Sequence, residues 1–102
     1  MGLLDLLGFG NKSENITEFL AKDAIIIDVR TPAEFINGHI KGSKNVPLNL
    51  IPNQIEILKK MEKPIIACCA SGMRSAQATS ILKSNGIDTL NGGGWQSLAK
   101  QI

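Results

Sequence analysis

Two short, nearly continuous apolar runs stand out along the chain: Ala24-Ile25-Ile26-Ile27-Asp28-Val29 and Pro64-Ile65-Ile66-Ala67-Cys68. Runs of this length, rich in β-branched residues, predict strands buried on both faces, as in a parallel sheet. Around them the pattern is helical. Thr17 to Lys22 reads as a short helix with Asn15 or Thr17 as its cap. Thr31 caps a helix with Pro32 at its first position and Glu34 at its third, and Gly38 ends it. Val46-Pro47 is extended, and a helix follows from about Asn53 to Met61. Arg74 to Ser84 forms another, with Ala76, Ala78, Ile81 and Leu82 facing inward, closed by Asn85-Gly86. Ile87 to Leu90 is a short strand. Gly93 or Gly94 starts a last helix that ends near Ile102. Strands alternating with helices predict an α/β fold with a central, mainly parallel sheet flanked by helices on both faces. Ligands of such sheets bind beyond the carboxyl ends of the strands. Cys69 falls there, one residue past the second strand and at the start of a loop.

The chain has 102 residues, the size of one domain. The stretch Gly8 to Asn15 is polar, which divides the chain into a lead-in segment over 1–14 and a domain over 15–102. Residues Met1 to Gly10 are apolar but short, and read as a helical or floppy lead-in that docks on the domain. With Lys+Arg 11 against Asp+Glu 9, the chain has no nucleic-acid footprint. No run approaches the ~20 apolar residues of a membrane span. No nucleic-acid or membrane partner is therefore expected. The two cysteines, Cys68 and Cys69, are neighbours, an unfavourable geometry for a disulfide. A reducing, cytoplasmic setting follows as the expectation. Two thiols and His39 match no zinc spacing, so neither a metal nor a cofactor is expected.

The chemistry is expected at Cys69-Ala70-Ser71-Gly72-Met73-Arg74-Ser75. A thiol at a helix N-terminus faces free N–H groups and the positive end of the macrodipole. Both favour the thiolate. Arg74 adds a fixed positive charge, and Gly72 gives the backbone freedom of a tight cradle. The loop reads as an anion-binding cup with a nucleophilic sulfur at its floor. Register decides which cysteine. Counted from Cys68, five residues precede Arg74-Ser75, the phosphatase pattern Cys-x5-Arg-Ser, though Ala67 stands where that pattern has His. Counted from Cys69 only four intervene, a tighter loop that suits a persulfide better than a tetrahedral phosphate. Cys69 is the predicted nucleophile, and Cys68 a core residue.

Three blocks resemble the single-domain rhodanese (sulfurtransferase) family. They are Ile27-Asp28-Val29-Arg30-Thr31-Pro32-Ala33-Glu34-Phe35, Gly38-His39-Ile40-Lys41-Gly42-Ser43-Lys44-Asn45-Val46-Pro47, and the Cys69 loop. Asn91-Gly92-Gly93-Gly94-Trp95 is similar to the family's Gly-Gly-x-x-x-Trp ending, with Trp95 directly after the glycines. The resemblance covers about residues 15 to 102. It implies a rhodanese fold and a Cys69 that accepts sulfane sulfur as a persulfide. The donor would be a small molecule such as thiosulfate; the acceptor would be cyanide, a thiol or a protein. The backbone of Ala70, Ser71, Gly72, Met73 and Arg74 would bind the substrate, with Arg74 meeting an anionic donor. Asp28, Arg30 and Ser75 would support the site. Asp28 is expected to accept backbone N–H bonds or pair with an arginine, and Arg30 to pair with Glu34. His39 reads as structural, and Trp95 as packing in the core or at its rim. Two other readings remain open: an idle binding or persulfide-carrier module, and an enzyme like a phosphatase or arsenate reductase.

Overall fold

Every residue of the strand Ile65–Cys69 is buried, and the remaining elements are arranged around it. The computed structural model describes residues 12–102. The elements are α1 (Lys12–Ala21), β1 (Ile25–Asp28), α2 (Pro32–Ile36), β2 (Lys44–Asn45), a 3-10 turn (Leu48–Leu50), α3 (Ile51–Lys60), β3 (Ile65–Cys69), α4 (Met73–Ser84), β4 (Thr89–Gly94) and α5 (Trp95–Ala99). Among the described residues the sheet has four strands in the order β2-β1-β3-β4, and every pairing is parallel. This is the expected α/β architecture. The expected lead-in over 1–14 lies mostly outside the described residues. α1 starts at Lys12, earlier than the expected Thr17.

Each face of the sheet holds its own core, as the alternation of a strand requires. On one face Ile27, Val29, Ile65 and Cys69 pack against Ile51, Ile55 and Leu58 of α3 and Ala78 and Leu82 of α4. On the other, Ile66 and Cys68 pack with Ile16 of α1, Ile40 and Leu98 of α5. Layers on both faces explain why the strand runs lack polar alternation.

Several boundaries differ from expectation for physical reasons. Thr31 does form a capping box with Glu34 ahead of Pro32. α3 begins at Ile51, ahead of the expected Asn53, because Pro52 is tolerated in a first turn. On α4 the buried stripe is Ser75, Ala78 and Leu82, the 3.6-residue spacing. Ala76 lies off that stripe and is exposed, not inward. The largest change is β4. It spans Thr89–Gly94, not Ile87 to Leu90. Its glycines lack intrinsic strand preference, but the neighbouring β3 leaves no room for side chains. A Cβ on Gly92 would sit 2.8 Å from Ile66 Cγ2. Pairing also slips there: Ala67 meets Asn91, whereas Cys68 meets Gly93. Gly92 is therefore the extra residue of a β-bulge.

Candidate active site

Cys69 is the last residue of β3, not the first of the loop. Its side chain shares a core face with α3 and α4. Cys68, one residue earlier, points to the opposite face. Ala70, Ser71 and Gly72 then carry the chain into α4. Gly72 makes that short turn with a φ of 103°, in the left-handed region that favours glycine. A Cβ there would also stand 3.3 Å from Gly93 Cα. The glycines of β4 thus back the loop from below.

The loop turns its donors onto the sulfur. Gly72 N–H donates to Cys69 Sγ at 3.0 Å, and Ser75 N–H at 3.4 Å. Ser75 Oγ lies 3.4 Å from the same sulfur. Burial alone would push the Cys69 thiol up, and is the largest single influence on it. The hydroxyl and amide of Ser75, with the amides of Gly72 and Ser71, outweigh burial and hold the thiol below its ordinary range. The sulfur is covered, beneath the exposed Ala70 and Ser71.

Cys68 has the contrary setting. Burial first, then the neighbouring Asp28 carboxylate, push its thiol up to about 12. It is a thiol at neutral pH, on the wrong face for the loop. The register that a phosphatase would need from Cys68 therefore places no thiolate in the cup.

The predicted binding residues divide. Gly72 touches the sulfur, as does Ser75, which was expected in a supporting role, while Met73 is 75% exposed and faces outward. Arg74 is held by Glu34 through two hydrogen bonds of 2.8 and 3.0 Å. This corrects the expected Arg30–Glu34 pair: Arg30 reaches only the Glu34 backbone carbonyl, at 3.4 Å. Hydrogen bonding from Arg74 lowers the Glu34 carboxyl to about 2, and the Thr31 amide adds to this. The charge of Arg74 is thus largely matched within the protein.

Asp28 and Arg30 are both buried and pair with each other. Arg30 donates from Nε at 2.9 Å and from Nη2 at 2.7 Å to the two carboxylate oxygens. The Arg30 amide also donates to Asp28 at 3.1 Å. Both expected modes of Asp28 occur together. The guanidinium reaches the Gly38 carbonyl at 2.7 Å and stacks 4.8 Å over the half-buried Trp95 ring. Asn45 Nδ2 donates to the Asp28 and Arg30 carbonyls. These residues tie the two upstream blocks together, beside Cys68, the register partner of Asp28. His39 is exposed, stacks on Phe35 and contacts its carbonyl through Nδ1.

Asn91 was not among the expected site residues. Its Oδ1 accepts from Ser75 Oγ at 2.6 Å and from Gly93 N–H at 3.0 Å. Its Nδ2 donates to the Gly72 carbonyl at 3.2 Å. An asparagine just before a glycine run is the signal that could have marked it.

Among the described residues, no His, Cys, Asp or Glu cluster could hold a metal ion, and no helix is long and apolar enough to cross a membrane.

The rhodanese-like domain profile matches residues 13–101. A sulfurtransferase of Allochromatium vinosum is 36% identical over 76 residues, 72% of this chain and 70% of that protein. The thiosulfate sulfurtransferase GlpE of Stutzerimonas stutzeri is 34% identical over 73 residues, 69% of this chain and 66% of its own. Other relatives are larger: a tRNA uridine(34) hydroxylase of Salmonella newport is 29% identical, and the match covers 24% of its length. The crystal structure of a rhodanese-related protein from Thermoplasma volcanium superposes with a TM-score of 0.72 at 31% identity, over 87% of this chain and 88% of that one. The chain belongs to the rhodanese-like family.

Proposed function

We propose that this protein is a sulfurtransferase that carries sulfane sulfur as a persulfide on Cys69. The observation that carries the reading is the pair of amides, Gly72 and Ser75, aimed at a sulfur at the end of a buried strand. They stabilise negative charge there without needing a mobile base. The relatives named as sulfurtransferases support the same reading.

With thiosulfate as donor, the Cys69 thiolate attacks the outer sulfur. The S–S bond breaks and sulfite leaves with the electron pair. Cys69 then holds a persulfide anion. A thiophilic acceptor, such as cyanide or a thiolate, takes the outer sulfur, and the bond electrons return to Cys69. No proton has to be removed by a neighbouring base in either step, which fits a site where His39 is engaged elsewhere. Glu34 holds Arg74, so an anionic donor competes with an internal carboxylate for that guanidinium. A donor without charge bears no such handicap.

The test is thiocyanate formation from thiosulfate and cyanide, with single-turnover sulfur loading in parallel. Cys69→Ser is expected to abolish both, and Cys68→Ser to retain most of each. Sulfur transfer that survives Cys69→Ser would refute the reading.

A further inference from the structure

We propose that Asn91 is a positioning residue. It holds the Ser75 hydroxyl proton away from Cys69, so that the hydroxyl turns to the sulfur only when the sulfur becomes a thiolate.

The orientation of the Asn91 side chain is fixed by its partners. Gly93 N–H donates to the Asn91 side chain, and the Gly72 carbonyl, which also accepts from Ala76 N–H, accepts from it. Turning the amide over would place donor against donor and acceptor against acceptor. Oδ1 therefore faces Ser75, and it carries no proton. The 2.6 Å bond between them uses the one proton the Ser75 hydroxyl has. Toward Cys69, 3.4 Å away, Ser75 then presents a lone pair. That lone pair suits a thiol, whose S–H can donate to it, giving the chain Sγ–H to Oγ–H to Oδ1. It opposes a bare thiolate. When Cys69 ionises, the hydroxyl must turn to the sulfur and give up Asn91. Losing a neutral hydrogen bond weighs roughly two- to tenfold on such an equilibrium.

The other charged and titratable groups around the sulfur do not contest this assignment. Arg74 on α4 is paired with Glu34 on α2, whose carboxyl is held near 2 by Arg74. Asp28 at the end of β1 is paired with Arg30. Cys68, beside it on β3, stays a thiol. β4 brings Asn91 and glycines, and the adjacent α5 brings Trp95.

The inference needs Cys69 to ionise, but not any particular cargo, so its test uses the protein free of sulfur. The rate of iodoacetamide alkylation of Cys69 is followed against pH in the Cys68→Ser background. The wild-type rate rises through a midpoint below the ordinary thiol value of about 8.5. Asn91→Ala is expected to lower that midpoint by roughly 0.3 to 1 pH unit, because the hydroxyl is then free for the sulfur. In a Ser75→Ala background the same substitution is expected to move nothing. Ser75→Ala alone is expected to raise the midpoint. Asn91→Val, which suits a strand and lacks an acceptor, replaces Asn91→Ala if the latter does not fold. Should neither fold, the Ser75→Ala midpoint decides. An unchanged or raised midpoint in the Asn91 variants overturns the proposal. So does a shift that persists without Ser75, or a Ser75→Ala midpoint equal to the wild type.

Discussion

At the scale of single residues, the buried Asp28 carboxylate depends on one neighbour. Arg30 gives it both guanidinium and amide hydrogen bonds, and neither side chain has more than 6% exposure. Removing one partner of a buried pair leaves an uncompensated charge, a loss of about 3–5 kcal/mol. Arg30→Ala is expected to cost that much in urea unfolding; a loss under ~1 kcal/mol would contradict the pairing. Glu34 acts at longer range. Its carboxyl, lowered to about 2 chiefly by Arg74, contributes stability above the unfolded carboxyl range, and this is lost as pH falls towards 2. Glu34→Gln keeps an oxygen for the Thr31 cap but releases the Arg74 charge. The KM for thiosulfate is expected to fall several-fold at low ionic strength, and the gain to shrink with added salt. A KM that rises would show that Arg74 does not meet the donor. The count of residues to Arg74 set Cys69 apart from Cys68 in the sequence, and the two side chains lie on opposite faces of the sheet. The partner of Glu34 was not legible in the sequence. Local spacing suggested Arg30, four residues away, and nothing in a single sequence points to a partner forty residues on.

At the scale of elements, the turn from β3 into α4 carries the site, and Gly72 shapes it. Its φ of 103° suits glycine, and an alanine there would be strained by about 1–3 kcal/mol. Its Cβ would also press on Gly93. Gly72→Ala is expected to lower stability by at least that margin and to slow sulfur loading, as the Gly72 amide leaves the sulfur. Unchanged loading in a folded variant would remove Gly72 from the mechanism. β1, β3 and α4 were readable because their apolar patterns are local. β4 was not, since its carboxyl half is glycine. Its strand character comes from pairing with Cys68 and Cys69 and from the absence of space. The bulge at Gly92 follows from that pairing, and with it the placement of Asn91, which the sequence marks only by the glycines that follow it.

At the scale of the whole molecule, the parallel sheet explains why neighbouring cysteines have opposite properties. Both cores meet at β3, and its alternation sends Cys68 to the α1 and α5 layer and Cys69 to the α3 and α4 layer. Parallel order puts the carboxyl end of β3 next to that of β4, so the loop rests on a glycine floor. A larger side chain would meet it there, since a Cβ on Gly94 would lie 2.9 Å from the Ala70 carbonyl oxygen. The two upstream sequence blocks and the Cys69 loop therefore serve one end of one sheet. Under the proposed function, this end makes Cys69 the sulfur carrier. The most direct measurement is tandem mass spectrometry of the intact wild-type protein after brief exposure to thiosulfate, with fragments that separate the two cysteines. One added sulfur atom is expected, on Cys69. An added sulfur on Cys68, or none on either cysteine under conditions where a known sulfurtransferase loads, would contradict it.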